Sequence, residues 1–430
     1  MSKVPSTVAD KKRRTLDDLR NLPRSPALSK YRAALERVGK SPSKFPLISY
    51  FSPAAWWQWF GTYGRDALNF SCPFRTNTGP HRSIYPLRNH QGGQKVQVAI
   101  AGDWGTGTNE AEVVTESMAP KNARPHYTIH LGDIYYVGDR PSIDENCLGQ
   151  RNPANQYMPV KWRHGQCGSF ALNGNHEMYA TGEPYFSTFL PSLGWIENGK
   201  AIGQFVSFFC LENDYWRVIG LDTGYHSRGL PFLSSFGRKL PLLLPSCRLP
   251  GKLIEWLKTV VKIQDDMHRG LVLLSHHQYY SAFEENYTRP AAQLSSLINR
   301  PVLWFWGHEH RMVGYHLQGP KNIQAHGRCV GHGGMPVERS EKSPNRKMVL
   351  FADNRVYSRQ DNFGWNGYVT LDFDDANLTV RYFDIASING GENKLLIQEN
   401  WSVNGRGEFT VQIEQQCLEK GFYGPTNWGG

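Results

Sequence analysis

The sequence predicts an α/β fold, and three observations carry that expectation. Short apolar runs of strand length, at residues 96–100, 127–131, 170–172, 271–274 and 302–306, each lead into a polar segment. After His310 the chain is strand-rich, at residues 312–317 and at 368–373 and 378–383, the last two pairing across Asp374-Asp375-Ala376-Asn377. With 430 residues, 40% hydrophobic and 13% aromatic, the chain can bury a large core, so disorder is not the default.

Taken in order, residues 1–45 form a polar leader with one helical stretch around Leu28 to Val38. Residues 46–95 hold the tryptophan-rich segment Ala54-Ala55-Trp56-Trp57-Gln58-Trp59-Phe60, expected to cap a core edge, followed by Gly/Pro/Asn punctuation. The α/β pattern starts at Val96. A more antiparallel stretch comes after Asn175, with residues 204–211 and 215–221 reading as a hairpin around Glu212-Asn213-Asp214. The expected organisation is an N-terminal extension over 1–95, a catalytic domain over 96–386 and a C-terminal extension over 387–430 that packs on the core.

The charge is unevenly placed. Residues 1–45 carry twelve Lys/Arg against four Asp/Glu, a net of +8 out of +10 for the chain. The leader, with Lys11-Lys12-Arg13-Arg14, is therefore the candidate for contact with a polyanion, and a solvated arm is the plainer expectation. No apolar stretch reaches the roughly 18 residues of a spanning helix, and the N-terminus lacks the apolar region of a secretory signal. A cytoplasmic location is expected. Seven cysteines without a C-x-x-C pair argue for reduced thiols; Cys147 and Cys167 are the pair to suspect if any bridges.

The polar segments are Gly102-Asp103-Trp104-Gly105, Gly132-Asp133-Ile134-Tyr135-Tyr136, Gly174-Asn175-His176-Glu177, Ser275-His276 and Gly307-His308-Glu309-His310. Strands that deliver such residues at their C-terminal ends place them along one sheet edge. Two metal ions about 3.5–4 Å apart need a ligand that reaches both, and a carboxylate does so. Asp133 is the candidate, because Gly132 lets the chain turn sharply before it. Asp103 offers a second carboxylate and Asn175 a neutral oxygen. His276, His308 and His310 offer imidazole nitrogens, which suit zinc and iron. The spacing of His308 and His310 favours an extended segment, where both point the same way. Each segment alone is weak; their order and shared context are hard to obtain by chance.

Rival chemistries fail on inspection. His176-Glu177-Met178-Tyr179-Ala180 lacks the second histidine of a zinc-protease helix. Neither a dinucleotide-binding glycine loop, a P-loop nor a Gly-x-Ser-x-Gly elbow is present.

These motifs resemble those of the calcineurin-like metallophosphoesterase superfamily, and more narrowly its purple acid phosphatase branch. Gly105 stands where the superfamily usually has a histidine, as in that branch, and Gly132, Asp133 and Tyr136 match its Gly-Asp-x-x-Tyr motif. The resemblance covers about 210 residues, from Asp103 to His310. It implies a two-sheet β-sandwich flanked by helices. It further implies that Asp103, Tyr136 and His310 hold one metal, that Asn175, His276 and His308 hold the other, and that Asp133 lies between them. Tyr135 is the alternative phenol, with Tyr136 then a strand aromatic. His176 would face the phosphate as proton donor or oxyanion stabiliser, and His277 is a substrate-pocket candidate, its alternative being an outward strand residue. The cofactors implied are two ions, iron with zinc, manganese or a second iron.

The expected function is hydrolysis of a phosphate ester, most simply a monoester, by in-line attack of a metal-bound hydroxide. A phosphodiesterase acting on a nucleotide or lipid headgroup is the alternative within enzymes. A catalytically inactive binding or regulatory protein on the same scaffold is the alternative outside them. Departures after His276 (His277-Gln278-Tyr279-Tyr280) and after His310 (Arg311-Met312) leave substrate preference open, and the sequence does not set the oligomeric state.

Overall fold

The computed structural model describes residues 71–135, 137–151, 158–227, 246–339, 345–357 and 363–426. The expected helix around Leu28 to Val38, the tryptophan-rich segment and Tyr136 lie outside them.

Two mixed sheets of nine strands each make the sandwich. The first runs β17 (Phe409–Gln415), β16 (Leu395–Val403), β15 (Asn377–Asp384), β14 (Gly367–Asp374), β2 (Val96–Ala101), β3 (Tyr127–His130), β4 (Gly168–Ala171), β5 (Gly194–Glu197), β6 (Lys200–Ala201). The second runs β1 (Ile84–Pro86), β7 (Phe209–Glu212), β8 (Trp216–Gly220), β9 (Gly270–Ser275), β10 (Val302–Trp306), β12 (Ala325–Val330), β11 (Met312–Gln318), β13 (Val349–Asp353), β18 (Phe422–Tyr423). In the middle of each sheet the pairing is parallel, β2 with β3 with β4 and β8 with β9 with β10 with β12.

All five apolar runs ahead of the polar segments fall in these parallel centres, and the physical reason is double burial. In β10, Leu303 and Phe305 point into the core between the sheets, while Trp304 and Trp306 pack into the layer outside the second sheet. A strand covered on both faces reads as an unbroken apolar run, with the period of two hidden. Outside the first sheet lies α1 (Asn109–Met118), which buries Ala111, Val114 and Met118 beside Ala99 and Ala101 of β2. Its N-terminus is fixed by Thr108, whose hydroxyl accepts from the Ala111 amide at 3.2 Å. The outer face of the second sheet is covered in part by Leu253 and Trp256 of a helix at Gly251–Trp256 and by Leu294 of another at Arg289–Leu294.

The predicted hairpin is present, though its first strand is shorter, with β7 and β8 antiparallel around Asn213. Its turn closes because the Asn213 side chain accepts from the Tyr215 and Trp216 amides. The pairing of β14 with β15 is also as expected. All seven cysteines are free. Cys147 and Cys167 cannot meet because they lie on different faces of the first sheet, Cys147 in the outer layer and Cys167 in the core between the sheets.

One buried ion pair ties the sheets together. Arg328 on β12 and Glu399 on β16 are both fully buried, with the guanidinium donating to both carboxylate oxygens. Tyr382 adds a hydrogen bond to Glu399 at 2.7 Å, and Arg328 also donates to the Tyr315 carbonyl. Removing one partner strands a desolvated charge, which costs about 3–5 kcal/mol. Glu399→Ala should lower the stability by that amount in urea titration, whereas an exposed pair such as Lys252 with Glu255 should change it by less than about 1 kcal/mol.

Candidate metal centre

Three of the proposed ligands sit on backbone that side chains seldom adopt. Asp103, Asp133 and His308 have φ of 56°, 71° and 68°, in the left-handed region, each just beyond the end of its strand. Such conformations cost energy and persist where surrounding bonds over-determine them. Here the determining bonds are visible. The Asp103 amide donates to the Gly132 carbonyl at 3.1 Å, and the His308 amide donates to Asp103 Oδ2 at 2.8 Å. The His176 amide donates to Asp133 Oδ1 at 3.1 Å. His308 and His310 therefore lie on a turned segment after β10, not on the extended strand end that their spacing suggested.

Glycine at two positions lets these segments close on one another. A Cβ at Gly174 would stand 2.0 Å from Asp133 Oδ1 and 2.6 Å from His276 Nε2. Gly132 combines φ of 104° with a Cβ position 2.8 Å from the Gly174 amide nitrogen and from His276 Nδ1.

The side chains converge around His276. Asp133 Oδ2 lies 3.3 Å from His276 Nε2, and His276 Nε2 lies 3.2 Å from His308 Nδ1. His276 Nδ1 is 3.0 Å from the Leu131 carbonyl oxygen, which only accepts, so that nitrogen carries a proton. The Tyr135 hydroxyl lies 2.8 Å from Asp103 Oδ1, 3.2 Å from Asp133 Oδ2 and 3.0 Å from His310 Nε2. Ligand atoms of Asp103, Asp133 and His276 all fall within 4.8 Å of one another, as do those of His276, His277 and His308. The two groups share His276.

Asn175 opens a short helix, Asn175–Met178. Its amide nitrogen donates to the Tyr179 hydroxyl at 3.0 Å, which turns Oδ1 the other way; that oxygen is buried and finds no hydrogen-bond partner among the described residues. The helix start is held by Glu177, whose carboxylate accepts from the Gly174 amide at 2.9 Å. The His176 side chain stays 18% exposed, with its ring 4.3 Å from that of Tyr135. His277 is buried, not outward-facing. Both its amide and Nδ1 are 3.1 Å from Thr223 Oγ1, and its ring lies 4.7 Å from that of His308.

Electrostatics separate the two carboxylates. Burial pushes Asp103 up to about 7, partly opposed by His276. Burial acts on Asp133 in the same direction, but His276 and His176 together hold it well below the usual carboxylate range. Burial lowers His308 and His310 to about 3, leaving neutral imidazoles with a lone pair to give. His276 goes up to about 9 in spite of burial, because Asp133 faces it. The Asp133 anion beside the two neutral imidazoles of His308 and His310, with the Asn175 oxygen and the His310 Nδ1 that lack a partner among the described residues, is a donor set that fits divalent or trivalent cations.

Two features of the site escape the motif patterns. Thr223 comes after β8 by the same rule as the other segments, an apolar run ending in Leu221-Asp222-Thr223, so that signal was available. Tyr287, with its ring 5.1 Å from His277 and 5.8 Å from His308, comes from an irregular loop and had none.

Known proteins are similar to this chain to different extents. No curated protein sequence matches the chain. Among solved structures, purple acid phosphatase PPD1 from seeds of yellow lupin (Lupinus luteus) is 16% identical with a TM-score of 0.44, over 70% of this chain and 53% of that one. The chain thus spans about half the length of the lupin protein. GAP50, the anchor in the inner membrane complex of Plasmodium, is 13% identical with a TM-score of 0.45, over 73% and 90%. PhoD is 12% identical with a TM-score of 0.48, over 78% and 74%. The family model for calcineurin-like phosphoesterases matches residues 96–312, the span that holds all five polar segments, and the chain belongs to that family.

Proposed function

We propose that this protein hydrolyses phosphate monoesters at a dinuclear metal centre of the purple acid phosphatase kind. The observation that carries the proposal is the pair of overlapping ligand groups joined at His276, with the Asp133 carboxylate against both. Asp103, His310 and a tyrosine would hold one ion. Asn175, His276 and His308 would hold the other, and Asp133 would reach both. Iron paired with zinc, manganese or a second iron suits this mixture of carboxylate, phenol and imidazole. When bound, such ions acidify water and neutralise phosphoryl oxygens.

The chain's own groups supply the rest. The Asp133 carboxylate keeps the centre anionic between the imidazoles. His276 is fixed in one orientation by the Leu131 carbonyl, and His277 is fixed by Thr223 at the edge of the pocket. His176 remains partly exposed beside Asp133 and is proposed as the group that gives a proton to a departing alcohol.

The phenol ligand is proposed to be Tyr135, because its hydroxyl already lies between Asp103 and His310. Iron-loaded protein should then be pink to purple through phenolate-to-iron charge transfer, and Tyr135→Phe should bleach it. A band that survives in Tyr135→Phe and disappears in Tyr136→Phe would restore the assignment made from motif spacing. An iron-loaded wild type without any visible band would remove the purple-branch assignment and leave a phosphoesterase with other metals.

Among the described residues no helix is long and apolar enough to cross a membrane. Residues 1–45, outside the described residues, are proposed to carry any contact with polyanions, through charge whose effect weakens with salt.

A further inference from the structure

The second-metal side of the site is walled by aromatic rings. Tyr287 reaches it from the loop after β9, eleven residues beyond His276, and stands edge-on to both His277 and His308, at interplanar angles of 70° and 79°. Beside Asn175, Tyr179 packs edge-on to His176, with ring centroids 5.1 Å apart, while its hydroxyl accepts from Asn175. Both residues are part-exposed. Tyr287 is held through its amide to the Gln278 carbonyl, and the segment before it through Asn286, which accepts from the Ser281 amide.

Asn175 and His176 are thus bordered by Tyr179, and His308 by Tyr287 and His277. Aromatic rings attract another ring by edge-to-face or offset stacking in addition to area burial. We infer that Tyr287 and Tyr179 form the leaving-group wall and select phosphoesters whose leaving group is a planar aromatic ring over those with an aliphatic one. The inference rests on the phosphoesterase reading above and adds the class of leaving group to it.

Calorimetry on the metal-loaded full chain tests it without turnover, using phenylphosphonate and cyclohexylphosphonate, which differ in aromaticity at similar size. Wild type should bind the phenyl compound about fivefold more tightly, the scale of one aromatic contact. Tyr287→Leu, which keeps an apolar contact, should bring the ratio to about one, and Tyr287→Phe should preserve it. Tyr179→Leu is the second variant should the loop fail to order in the first. Equal binding of the two compounds by wild type, or a ratio unchanged in both leucine variants, overturns the inference while leaving the phosphoesterase reading in place. Binding of neither compound by protein that has taken up its metals overturns both.

Discussion

Asp133→Ala should lose phosphoester hydrolysis by at least about 10²–10³-fold, the scale on which a single electrostatic group acts in an active site, and should lose more bound metal than any other single ligand change. Three contacts fail together. The carboxylate faces His276 Nε2 at 3.3 Å, takes the Tyr135 hydroxyl at 3.2 Å, and accepts the His176 amide at 3.1 Å. Its loss leaves cations close together without the anion between them and frees the turn that carries Asn175. Asp133→Asn separates the two effects, because it keeps the shape and one hydrogen-bond acceptor but removes the charge. The asparagine variant should fold with the turn intact and still lose metal. Near-normal turnover in Asp133→Ala with full metal content would remove the bridging assignment.

The strand ends were legible because double burial gives an apolar run that needs no periodicity to be seen, and because parallel strands expose their C-terminal residues on one edge. The turns beyond those strand ends were less legible. The strand pattern does not announce that Asp133 leaves the extended region, with φ of 71°. The same holds for His308, where a left-handed residue replaces the extended segment that its spacing with His310 suggested. Both departures are dictated by contacts between segments distant in sequence, such as the His308 amide with Asp103 Oδ2, 205 positions apart. No local pattern contains them. Tyr287 is a further case, since its place beside His277 depends on a loop whose course is set by individual side-chain bonds such as that of Asn286.

His176→Ala carries the second large effect. General acid catalysis contributes about 10²–10⁴-fold, and the contribution grows as the leaving alcohol becomes a poorer leaving group. The variant should keep its metals, lose most of its turnover on an alkyl phosphate and lose much less on nitrophenyl phosphate, whose leaving group departs without a proton. His176 lies 3.8 Å from Asp133 Oδ2 through Nε2, and its amide anchors Asp133 whichever side chain it bears. The carboxylate should therefore stay in place in the variant. Equal losses on both esters, or loss of metal, would leave His176 as a residue that positions the turn.

Metal stoichiometry measured beside turnover tests most directly whether the five strand-end segments hold two metal ions for phosphoester hydrolysis. Purified wild-type protein titrated with iron and zinc or manganese should retain two ions per chain, with hydrolysis of a phosphomonoester rising as the second is taken up. Full turnover in protein that holds one ion per chain, or none, would contradict a two-ion centre.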